Sequence, residues 1–122
     1  MLGEPDAAES LRQFIRGAGE VYQRASRFSG VLRAAALTDE EVQRTYQRHE
    51  RRRAAGYRQV AEMLTAKGRL REGLRVDTAT DILLTVYGDT TYHPLTIERG
   101  WTHDQTIGWL ADSLPGLILA AD

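Results

Sequence analysis

The stretch Glu98-Arg99-Gly100-Trp101-Thr102, followed closely by Trp109-Leu110-Ala111-Asp112-Ser113-Leu114, decides how this chain is read. A glycine after Glu98-Arg99 reads as a helix stop, and Thr102 with Gln105 three residues on has the capping-box spacing that opens a new helix. That helix, His103 to about Ala120, turns Ile107, Leu110, Leu114 and Ile118 to one side. Pro115-Gly116 is expected to bend or break it near its end.

The same punctuation extends toward the N-terminus. Pro94 is tolerated only in a first helical turn, so a short helix is expected from about His93 to Arg99. Gly88-Asp89 interrupts the preceding helix, which Asp77 opens and in which Ala79, Ile82, Leu83 and Val86 form the buried edge. Residues 69–76 form a connection containing Gly73. Before it, Thr38 with Glu41 opens the longest element, which runs to about Lys67 with Gly68 as its stop. Its stripe is Val42, Tyr46, His49, Arg53, Gly56, Val60 and Met63, spaced alternately by four and three.

Ser26 is expected to cap a short helix ending at Ala36, with Phe28, Val31, Leu32 and Ala35 facing inward. The first helix, Ala7 to Ala25, carries Leu11, Phe14, Ile15, Ala18, Val21, Tyr22 and Ala25 on one face. Gly17 and Gly19 weaken it, a cost accepted where something packs close to the backbone. Residues 1–6 are expected to form a disordered start. With no strand pattern, these elements predict an all-α fold: an antiparallel bundle of about five to six helices in a single domain spanning 1–122.

Composition agrees, with 42% hydrophobic and 27% charged residues and no cysteine, which excludes disulfides and thiolate metal sites. The longest apolar run, Leu117 to Ala121, is too short to span a bilayer, and the acidic opening is unlike a signal peptide, so a cytoplasmic protein without a membrane partner is expected. Net charge is only -1, yet 15 basic and 10 acidic residues precede or include Arg75 while 1 and 7 follow it. The excess lies largely in Arg44, Arg48, Arg51, Arg52, Arg53 and Arg58. A nucleic-acid surface is one reading, but four of these share a stripe opposite the apolar one, as a solvated face does.

Catalytic groups are sparse, and no enzyme activity, metal site or cofactor is expected. His49-Glu50 begins like a zinc-protease motif, but Arg53 stands where the second histidine belongs. His49 and Arg53 instead suit binding, because on an apolar stripe each needs a partner from protein, water or ligand. The alternative is that both reach solvent or meet Glu20 or Glu62. Tyr22, Tyr46 and Tyr57 pack as apolar rings yet offer a hydroxyl. Trp109, on the flank of the last helix beside Gly108 and Ala111, suggests contact with another subunit, with packing inside the chain as the alternative.

As a string, the chain resembles TetR-type transcriptional regulators. The resemblance runs through the helix ending at Ala25, Val31-Leu32-Arg33-Ala34-Ala35-Ala36, Glu50-Arg51-Arg52, Gly68 and Val76-Asp77 through Leu84, and is most specific at Glu98-Arg99-Gly100-Trp101 and Trp109-Leu110-Ala111-Asp112. It implies the C-terminal effector-sensing and homodimerisation domain of such a regulator. The interface would be built from Trp101, Ile107, Trp109, Leu110, Leu114 and Ile118. A pocket for a small, often apolar effector would be formed by Phe14, Ala18, Tyr22, Phe28, Leu32, Tyr46, His49 and Arg53. The DNA-reading helix-turn-helix of that family has no counterpart before Ala7, so this chain alone is expected not to bind an operator. Pro94 and Pro115 also depart from the family pattern. Other readings are a ligand-free helical module that pairs with itself or with a full-length regulator, and RNA or DNA binding through the arginine face, which would weaken steeply with salt.

Overall fold

The computed structural model describes residues 6–120, without the side chains of Ser26, Arg27 and Ser29. The chain is an all-α bundle: α1 (Ala7–Ala36), α2 (Glu40–Ala66), α3 (Val76–Val86), α4 (Asp89–His93), a π turn (Pro94–Glu98) and α5 (His103–Ile118). Among the described residues the only extended pairing is an isolated antiparallel bridge between Leu70 and Leu119. It fastens the α2–α3 loop to the end of α5, with Ala120 N–H donating to the Arg69 carbonyl at 2.8 Å and Arg71 N–H to the Ile118 carbonyl at 2.9 Å. Among the described residues, no helix is long and apolar enough to cross a membrane.

The first two expected helices are one. α1 runs unbroken for 30 residues, about 45 Å at the usual rise, so it begins in the core and ends well outside it. A cap at Ser26 would rest on a side chain outside those described, and the backbone passes through it as helix. Phe28 and Val31, expected inward, are 69% and 70% exposed, because the core among the described residues takes nothing from α1 beyond Tyr22. Asp6, assigned to a disordered start, is the N-cap of α1 and accepts from Glu9 N–H at 2.8 Å, while residues 1–5 lie outside those described.

α2 starts one residue later than expected. Asp39 rather than Thr38 caps it, its carboxylate accepting from Glu41 N–H at 2.9 Å and Val42 N–H at 3.2 Å, because Thr38 is occupied in the turn that closes α1. Its stop is as the sequence predicts. Gly68, at φ 68°, adopts the left-handed conformation, and Gly68 and Arg69 N–H return to the Thr65 and Leu64 carbonyls at 2.8 and 3.1 Å. α3 begins at Val76 with no side-chain cap bond; Asp77, read as its cap, lies in the first turn and pairs with Arg58.

The short helix arrives earlier than expected, at Asp89, and widens into the π turn at Pro94, where Arg99 N–H reaches the Pro94 carbonyl at 3.0 Å. Proline has no N–H to continue the regular ladder, so the turn loosens there. Gly100, at φ 75°, then reverses the chain, and Thr102 caps α5 by accepting from Gln105 N–H at 3.0 Å.

The core gathers Leu11 and Ile15 of α1, Val60 and Leu64 of α2, Leu83 of α3, and the inner face of α5. Gly19 allows α5 to approach α1: a Cβ there would lie 2.7 Å from Ile107 Cδ1. Gly17, two residues away, faces open space. Ile107, Leu110, Leu114 and Ile118, assigned to a dimer interface, are all buried in the chain's own core, because α1 and α3 already cover the apolar face of α5. Of the six residues assigned to an interface from sequence, that leaves Trp101, half-buried, and Trp109, 43% exposed, which meet edge to face at 6.2 Å between ring centroids.

Candidate functional site

Between α1 and α2, closed at its inner end by the start of α4, lies a cavity of about 380 Å³. Small-molecule sites span roughly 300–1,000 Å³, so this one is near the small end of that range. Its α1 wall is Ala18, Val21, Tyr22, Ala25, Phe28 and Leu32, one face of the helix over four turns. The α2 wall is Tyr46, His49, Glu50, Arg53 and Tyr57, and Asp89 closes the end. Exposed Val21, Phe28 and His49 leave one side open to solvent.

The inner end is polar and tightly wired. Arg53 Nε donates to the Tyr22 hydroxyl at 2.8 Å, Nη1 donates to Glu50 at 2.9 Å, and Nη2 donates to the Leu84 and Tyr87 carbonyls at 2.6 and 3.1 Å. Those carbonyls are the free acceptors at the C-terminal end of α3, where a cation is favoured by the helix dipole. Gly88 makes this possible, since a Cβ at that position would collide with the guanidinium.

Donor accounting orients the phenols. The Tyr57 hydroxyl gives its single proton to the Tyr87 carbonyl at 2.8 Å, so in its 2.7 Å contact with Tyr22 it is the acceptor. The chain therefore runs from Arg53 through Tyr22 and Tyr57 to the Tyr87 carbonyl. The Arg53 guanidinium also lies 5.2 Å from the Tyr57 ring centre. Behind them, the Tyr87 hydroxyl donates to the Ile15 carbonyl at 2.5 Å.

Burial pushes the Tyr22, Tyr57 and Tyr87 phenols above their ordinary range; at Tyr22 the Tyr57 contact and the Arg53 charge pull part of the way back. These hydroxyls stay protonated at neutral pH and act as neutral hydrogen-bonding groups. No group of His, Cys, Asp or Glu side chains among the described residues is arranged to hold a metal ion.

Of the residues assigned to a pocket from sequence, the structure brings Ala18, Tyr22, Phe28, Leu32, Tyr46, His49 and Arg53 together around this cavity. Phe14 is not among them. It lies a turn deeper, edge-on to Tyr57 with ring centres 5.4 Å apart. Arg53 meets neither Glu20 nor Glu62 but Glu50 and the end of α3, and Glu62 pairs with Arg58 at 3.2 Å.

Sequence reasoning left out Val21, Ala25, Glu50, Tyr57 and Asp89. Val21 and Ala25 share the apolar face with Ala18, and Glu50 stands at the ion-pair spacing before Arg53, so these had a local signal. Asp89 had none, since only the packing of α4 brings it to the cavity. No protein family, curated protein or solved structure matches this chain.

Proposed function

We propose that this chain binds a small, mainly apolar molecule in the cavity between α1 and α2, and that it is the effector-sensing domain of a TetR-like transcriptional regulator. The observation that carries the reading is the cavity of about 380 Å³, apolar along two helices and polar at one end. Ligand sites typically combine mostly apolar walls with a few convergent polar groups that set orientation. A molecule lodged there would fix the separation of the α1 and α2 walls and so bias their relative positions.

Nile red, a neutral solvatochromic dye, tests this. Its emission is expected to rise and shift to the blue in a saturable way with the unmodified chain. Ala25→Trp, which fills the cavity from the α1 wall, should abolish the effect. Undiminished saturable binding by a folded Ala25→Trp protein overturns the reading.

A second reading, a helical module that pairs with another copy or with a full-length regulator, is favoured by Val21, Phe28 and Val31, all more than half exposed along the outer half of α1. Mass that rises with protein concentration in sedimentation equilibrium, and stays monomeric in Val31→Glu, would support it. A monomer at every concentration removes it.

A further inference from the structure

We infer that the cavity takes an amphipathic amine, its apolar body along α1 and α2 and its cationic nitrogen hydrogen-bonded to Asp89. This rests on the cavity being a ligand site and specifies the chemistry of what enters.

Besides His49, the acidic and basic residues that line the cavity are Arg53, Glu50 and Asp89. Arg53 is committed: Glu50 neutralises it at 2.9 Å, and its remaining bonds go to Tyr22 and the end of α3. Asp89 has no such partner. Among the described residues it forms no ion pair, and its Oδ1 has no hydrogen-bond partner.

A carboxylate without a partner cation at the polar end of an apolar cavity favours a ligand that brings a charged donor over one that brings none. The Asp89 charge also reaches the polar network, since it raises the affinity of the Tyr22 phenol for its proton. Tyr22, Tyr46 and Phe28 present aromatic rings along the route inward, surfaces that favour a cation over an anion. An anionic ligand would meet two carboxylates and a guanidinium already in use.

Calorimetric titration of the full chain with phenylbutylamine, phenylbutanol and phenylbutyrate tests the inference, because the three share one body and differ at the head. The amine should bind at least about tenfold tighter than the alcohol, as one charge-assisted hydrogen bond allows, with the carboxylate weakest. Asp89→Asn and Asp89→Ser, each checked for helix content, should bring the amine down to the level of the alcohol and leave the alcohol unchanged. If the alcohol or the carboxylate binds as well as the amine, the inference falls and the cavity remains a ligand site. It also falls if the amine keeps its advantage in both folded variants. Binding of none of the three overturns the cavity reading along with it.

Discussion

Arg53 Nη2 donates to the Leu84 carbonyl at 2.6 Å, so a cation from the middle of α2 serves as the C-terminal cap of α3. The interaction joins elements that are distant in sequence and fixes the inner end of the cavity in the same stroke. Arg53→Met leaves the Leu84 carbonyl, the Tyr22 hydroxyl and Glu50 without their donor. It should cost about 2–3 kcal/mol, the scale of hydrogen bonds to a charged group, in urea unfolding. Arg53→Lys should recover only part, because one ammonium cannot serve Tyr22, Glu50 and the carbonyls from a single plane.

Gly88 and Arg53 compete for the same space. Gly88→Ala should destabilise by roughly 1–3 kcal/mol, the usual cost of overpacking, although its backbone is extended and any residue could adopt it. Most of that loss should vanish in an Arg53→Ala background. A double-mutant cycle with no coupling would show that the clash is relieved elsewhere.

The two glycines of α1 should respond in opposite ways. Gly17→Ala meets open space and should stabilise by about 0.5–1 kcal/mol through helix propensity. Gly19→Ala gains the same propensity but forces Ile107 to move, and should be at least about 1 kcal/mol less stable than Gly17→Ala. Thermal unfolding of the pair reads the difference directly.

The buried phenols set an alkaline limit. Tyr22, Tyr57 and Tyr87 hold their protons above the ordinary value near 10, chiefly through burial, whereas the unfolded chain releases them there. Folded-state affinity for the proton is raised, so the phenols' contribution to stability is constant below about pH 10 and is lost above it, as the unfolded state alone gains by ionising. Phenolate absorbance should therefore appear together with loss of helical ellipticity. Smooth titration of these phenols in a still-folded protein would contradict their burial.

Leu110 and Leu114 have no exposed surface. Leu110→Ala and Leu114→Ala should each cost about 2–5 kcal/mol, the range for buried leucines, by the same amount at every protein concentration. A loss that depends on concentration would return α5 to a subunit interface.

Local chemistry made much of the fold legible. Apolar spacing of three and four marked each long helix, Gly68 and Gly100 marked stops that require a left-handed residue, and Thr102 announced α5 through a bond to its own neighbour. The cavity walls were legible for the same reason, since Ala18, Tyr22, Phe28 and Leu32 share a face whatever lies opposite. Periodicity, however, states that a face is apolar and not what covers it. The stripe of α5 is covered by α1 and α3, while Val21, Phe28 and Val31 of α1 stay more than half exposed, although the two stripes read alike.

What the sequence determined by itself was helix, stripe and stop, because those depend on bonds and contacts within a few residues. Only the tertiary structure decided that α1 continues through Ser26, that Arg53 caps α3, and that Asp89 reaches the cavity. Each of these depends on groups distant in the chain meeting at hydrogen-bond range, and no local pattern carries that distance.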